Sequence, residues 1–170
     1  MPKKPLGGSA KKARSFVAAL YRNVEILDTS GRGSSITFTR RGIGEVLLNW
    51  ENEAKLAQKE PGGCQYQIIY PSRSILAEPP VALLDKSVDR HKNRAVAEDF
   101  LKFLYTPQAQ EIAARYFFRP RDPFVMAAHK ADFPQLPLAT IDGDFGGWAK
   151  AQAVLFADGG TFDQIYQPGK

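Results

Sequence analysis

An α/β fold is predicted by three features of the chain. Short β-type runs alternate with helical patterns through its first half. The second half turns helical, and a Pro-rich crossing at residues 77–80 separates the two textures. Ser9 followed by residues 11–23 predicts a capped helix, with Ala13, Phe16, Val17 and Leu20 at helical spacing and lysines outside. Residues 24–28 read as a strand ending at Thr29-Ser30-Gly31-Arg32-Gly33, and a second helix is expected after the glycines to about Arg40. Gly42 and Gly44 lead into a strand candidate at 46–50, and a short helix at 51–58 stops at Glu60-Pro61-Gly62-Gly63. Residues 65–70 alternate as a half-buried strand does, and 81–85 read as a buried one. Residues 92–105 place Val96, Phe100, Phe103 and Leu104 on one helical face. Thr106-Pro107 opens a helix to about Tyr116, and the tail mixes helical pieces with Pro/Gly turns.

The chain has 170 residues, 44% hydrophobic and 24% charged, which fits a globular protein and excludes wholesale disorder. No apolar run approaches the ~20 residues of a membrane-spanning helix. A net charge of +5 invites a nucleic-acid reading until it is located. Lys3, Lys4, Lys11, Lys12, Arg14 and Arg22 stand in the first 22 residues without an acid. The remaining 17 basic residues face 18 acidic ones. Nucleic-acid binding wants a basic face across the fold, so no nucleic-acid partner is expected. Phe16–Tyr21 is too short for the apolar region of a signal peptide, so the sequence as written is expected to stay cytoplasmic.

No motif commits the chain to catalysis, a metal or a cofactor. His91 and His129 stand in no metal-ligand pattern and are expected on solvated surface. Asp142-Gly143-Asp144 resembles the start of a calcium loop, but its twelfth position is Ala153. Cys64, the single cysteine, is expected to be a small buried or half-buried residue. The aromatics of 100–105 and 116–118 are expected in the core. Arg119-Pro120-Arg121-Asp122 suits either helix-end salt bridges or a partner surface.

Ser30-Gly31-Arg32-Gly33-Ser34-Ser35 is the strongest local signal. Such a turn aims backbone N–H groups one way, backed by the positive end of a helix dipole. Glycines admit an anion close to the backbone, and serines add hydroxyls. Taken alone, a plain strand-to-helix turn explains this pattern more often than an anion nest does. Trp50, among Asn49, Glu51 and Asn52, either offers its indole N–H to a ligand or is a partly buried core aromatic.

Several stretches together resemble the bacterial periplasmic sulfate- and thiosulfate-binding proteins of ABC importers. They are residues 24–33, 41–54, 74–79, 116–122, Phe145-Gly146-Gly147-Trp148 and the run from Phe156 to Tyr166, in the family's order. The resemblance implies a type II periplasmic-binding-protein-like fold, in which two α/β lobes close on a dehydrated oxyanion held by neutral hydrogen bonds. It assigns Gly31 a backbone N–H donor and Trp50 the indole donor, with Arg32, Gly33 and Ser34 in support. It implies a periplasmic location, a membrane permease as partner, and binding without catalysis. It also implies that this chain is the C-terminal portion of such a protein. Residues 1–77 would then hold the C-terminal half of lobe two, and 78–170 a crossing strand with helices returning to lobe one. Smaller departures are Glu25, where the family commonly has proline, and Leu155, where it commonly has histidine. Open sheet edges in a half-fold invite pairing with a second copy, so a self-associating remnant that binds nothing is the alternative expectation.

Overall fold

The computed structural model describes residues 9–166. Lys3 and Lys4 lie outside them. The chain divides into two compact units, one comprising Met1–Leu47 with Ala139–Lys170 and the other Leu48–Leu138.

In the first unit, α1 (Ala10–Arg22) begins where expected, because the Ser9 hydroxyl accepts the Lys12 N–H at 3.2 Å. Lys11, Lys12 and Arg14 are exposed, so the described part of the basic stretch is a helix surface. Its Tyr21 ring meets Phe162 and Tyr166 edge-on, at 5.6 and 5.5 Å between centroids. Those two rings stack at 5.2 Å in and beside α10 (Thr161–Ile165). The Arg14 guanidinium donates to the Gln164 side chain on the same helix. The glycine-rich run before α10 is tied locally: the Gly159 N–H donates to Asp163 and the Gln164 amide donates to the Gly159 carbonyl.

Helix α2 (Gly31–Arg41) ends at Gly42, whose φ of 65° is the left-handed conformation that glycine adopts without strain. The N–H groups of Gly42 and Ile43 both donate to the Thr37 carbonyl. Thr140 caps α8 (Ile141–Phe145) by accepting the Gly143 N–H at 3.0 Å, while Asp144 takes the Thr140 N–H at 2.8 Å. That reciprocal cap gives Gly143 and Asp144 a structural role at the start of α8. Helix α9 (Trp148–Ala151) continues into a π turn at Gln152–Phe156.

The second unit holds α3 (Glu51–Lys59), α4 (Asp85–His91), α5 (Arg94–Phe103), α6 (Pro107–Arg115) and α7 (Pro123–Ala128). Gly63 opens a 3-10 turn packed under the end of α3. A Cβ there would stand 2.3 Å from the Ala57 carbonyl oxygen, so only glycine fits. Thr106 caps α6 and Asp122 caps α7, each helix opening on the following proline. Ala114, Val125 and Phe133 form the buried cluster, with Met126 against it.

Four expected strands are not formed. Residues 24–28, 46–50, 65–70 and 81–84 carry no ladder. Among the described residues the single sheet joins β1 (Ser74–Ile75) to β2 (Leu138–Ala139). Alternating side chains specify a face to bury, whereas a strand also needs a neighbour for its N–H and C=O groups. Asp85, expected to end a strand, instead starts α4. The expected helix over 92–105 begins at Arg94 after a left-handed Lys92.

The expected aromatic core is also corrected. Phe100 is 58% and Tyr105 66% exposed, and Phe103, Tyr116 and Phe118 are exposed as well. An apolar stripe makes a helix face able to bury itself, and nothing among the described residues covers this one. Cys64 is exposed rather than buried. His91 is exposed as expected, but His129 is half-buried between Glu111 and Asp132.

Candidate functional site

The residues singled out by sequence stand at the N-termini of two helices. Gly31, Arg32, Gly33 and Ser34 are the opening turn of α2, in the first unit. The turn before α2 is Ser30, with extended backbone, and the glycines themselves are already helical. The Ser30 hydroxyl accepts the Gly33 N–H at 3.0 Å. The Ser34 N–H and hydroxyl both donate to the Ser30 carbonyl, at 3.0 and 3.2 Å. Ser34 therefore spends its proton inside the helix and acts by fixing the turn. Ser35 and Thr37, both buried, continue the pattern: Ser35 donates to the Gly31 carbonyl, and Thr37 donates to the Asp28 carboxylate at 3.3 Å.

The field of this turn is favourable to an anion. No acid lies in the first turn of α2, and Arg40 and Arg41 occupy its last, so the peptide dipoles present their positive end at Gly31–Gly33. Asp28 limits that field from one side. A Cβ on Gly33 would stand 3.5 Å from its Oδ1 and 3.1 Å from the Ser30 hydroxyl, so glycine keeps a close approach open. Gly31 and Gly33 are half-buried and Arg32 is exposed.

Trp50 belongs to the second unit and is the N-cap residue of α3. It is 55% exposed, and its indole N–H has no acceptor among the described residues. Its own backbone N–H donates to Asn49 Oδ1 at 2.8 Å. No side chain caps α3; Glu51 and Glu53 in its first turn complement the dipole instead. Glu51 is gripped by Arg119, with Nε 2.5 Å from Oε2 and Nη2 2.9 Å from Oε1. The same Nη2 donates to the Pro134 carbonyl at 2.9 Å. Tyr70 lies near enough to Glu51 to feel its charge. Partial burial, then the charge of Glu51, hold its phenol above the usual pKa. Arg119 is thus an internal salt bridge, which decides between the two readings of the Arg-Pro-Arg-Asp turn for that residue. Asp122 serves as a helix cap.

Sequence reasoning singled out Gly31 and Trp50 as candidates but did not identify what holds the α3 turn. Ser30 was legible as a Ser just before a helical run. The Glu51–Arg119 pair spans 68 residues and has no local signal.

A family described as bacterial extracellular solute-binding protein matches residues 6–119, a span containing both helix N-termini and Arg119. The sulfate-binding protein of Salmonella typhimurium is 57% identical over 154 residues, covering 91% of this chain and 47% of that protein. This chain belongs to the bacterial extracellular solute-binding protein family. The sulfate-binding protein of Escherichia coli is 56% identical over the same shares. The thiosulfate-binding protein of Pseudomonas aeruginosa is 43% identical over 95% of this chain and 49% of that protein. This family member therefore spans about half the length of the curated relatives it matches.

Proposed function

We propose that this chain is the C-terminal portion of a sulfate- or thiosulfate-binding component of an ABC importer, working in the periplasm with a membrane permease. The observation carrying this reading is 57% identity to a named sulfate-binding protein across 91% of the chain. Gly31 contributes a backbone N–H and Trp50 its indole N–H, with Arg32, Gly33 and Ser34 supporting the α2 turn. Hydrogen bonds from neutral groups bind a dianion without a resident cation to compete with its release. The dipole of α2 and the exposed Trp50 indole support that mode.

The rest of the reading extends the family resemblance, and the chain's share of its relatives agrees with a partial fold. Residues 1–77 belong to one lobe and 78–170 return to the other. The unladdered segments and the exposed Phe100 face are surfaces that the remaining half covers. With most of the ligand's donors lying outside this chain, the isolated chain binds sulfate weakly or not at all: each lost hydrogen bond removes ~1 kcal/mol or more, while desolvation of the dianion still has to be met. In isolation the same open surfaces favour pairing with a second copy.

Titration calorimetry with sulfate and thiosulfate tests this on the chain alone and on the chain mixed with the complementary half of the Salmonella typhimurium relative. Weak binding alone and strong binding after mixing are expected. Tight binding by the isolated chain overturns the weak-binding claim. A reassembled protein that ignores both anions overturns the oxyanion reading. Light scattering on the isolated chain is expected to show dimers, and a clean monomer removes the self-association claim.

A further inference from the structure

Trp50 is exposed, and little among the described residues packs its ring, so its direction depends on the backbone that carries it. That backbone is the first turn of a nine-residue helix with no side-chain cap. Short helices fray at such ends unless packing or a tether holds them. The residue next to Trp50 is Glu51, and it is tethered by Arg119 through two hydrogen bonds. Arg119 is itself fixed: its third bond goes to the Pro134 carbonyl, and its guanidinium lies 5.5 Å from the ring centroid of Phe133, a core residue only 3% exposed. Lys55, one turn further along α3, sits over Phe133 and Phe117 at 5.8 and 5.4 Å. Phe117 takes a left-handed φ of 63°, a conformation that is costly for a bulky residue. It turns the chain after α6 and leads to Arg119.

We propose that Arg119 is a positioning residue for Trp50: by clamping Glu51 against the Phe133 core it holds the first turn of α3, and hence the indole N–H, in one orientation. This deepens the proposed oxyanion reading and rests on it for its purpose, though the positioning itself is measurable without any ligand. A bidentate fork suits the task, because it fixes orientation as well as distance, which an ammonium on a flexible stem does not.

The chain has two tryptophans, so Trp148→Phe leaves Trp50 as the sole indole reporter. Time-resolved fluorescence anisotropy of that chain reads side-chain motion on the picosecond-to-nanosecond scale. Arg119→Gln and Glu51→Gln are each expected to about double the amplitude of the fast depolarising component, and the double variant to add nothing further. Arg119→Lys is expected to fall between, and serves with Glu51→Gln should Arg119→Gln fail to fold. Thr106→Ala weakens the same unit by removing the α6 cap and is expected to leave Trp50 unchanged. Unchanged anisotropy in the folded Arg119 and Glu51 variants overturns the proposal. So does an equal change from Thr106→Ala, or additive effects in the double variant. A sulfate-induced change in Trp50 emission, sought in the Trp148→Phe chain mixed with the complementary half, tests the oxyanion reading separately. Its absence there sinks that reading and leaves the positioning role of Arg119, read from anisotropy, intact.

Discussion

The first turn of α2 and the first turn of α3 carry the two donors proposed for one ligand, and they are secured by opposite means. The α2 turn is self-sufficient. Ser30 caps it, Ser34 and Ser35 bond back along it, and Gly42 closes its far end, all within a dozen residues. The α3 turn has no such devices and depends on Arg119, 68 positions away in sequence. A locally capped turn survives loss of distant packing, whereas a tethered one is only as ordered as the tether. The backbone donor at Gly31 is therefore the robust half of the proposed site and the Trp50 indole the conditional half.

The largest expected effect breaks the tether. Arg119→Ala leaves the half-buried Glu51 carboxylate without its fork and is expected to cost about 2–4 kcal/mol in chemical denaturation. Arg119→Lys keeps the charge and is expected to lose about half as much, since an ammonium cannot reproduce the bidentate geometry. Next comes the other end of α3. Gly63→Ala drives a Cβ into the Ala57 carbonyl and is expected to cost about 2 kcal/mol by overpacking.

The local devices of α2 are expected to yield less. Ser30→Ala removes one cap bond and is expected to cost about 1 kcal/mol, while Ser30→Gly loses only a few tenths. Gly42→Ala meets no atom within 4 Å, so its cost of about 1 kcal/mol comes from the left-handed backbone alone. Equal losses from Ser30→Ala and Arg119→Ala in parallel urea titrations would erase the contrast between the two turns.

The smallest expected effect is a pH dependence in the second unit. Hydrogen bonding to Glu111 raises the His129 pKa above its ordinary 6.5, with Asp132 adding to it on the other ring nitrogen. The charged form is thus the one the fold favours. Its stabilisation is complete below 6.5 and fades as pH rises through the elevated value. Thermal melts from about pH 6 to about pH 8 should show a fall in Tm that His129→Gln flattens. A flat profile in the parent chain would show that the Glu111 contact contributes nothing. The Arg94 cluster offers a contrast in exposure. Arg94 forks Asp89 and reaches Asp85 across the α4–α5 junction, and it holds Asp89 below the ordinary carboxylate range. Both partners are solvated, so salt is expected to remove whatever this cluster adds.

The sequence by itself determined the parts whose partners lie within a few residues. Ser9, Thr106 and the glycine stop at 42 were legible because a cap bonds to an N–H or C=O of the adjacent turn, and residue type at one position nearly decides the outcome. It also carried the family resemblance that made Gly31 and Trp50 candidates. It overreached wherever an outcome needed a neighbour that alternation cannot name. Residues 24–28 and 65–70 have strand patterning without strands. Val96, Phe100 and Phe103 form an apolar stripe that stays exposed. Only the tertiary structure decided that Arg119 serves Glu51 and that His129 meets Glu111. Those contacts join residues that the pattern of the chain leaves unrelated, and their energies come from burial and geometry that arise only when distant segments meet.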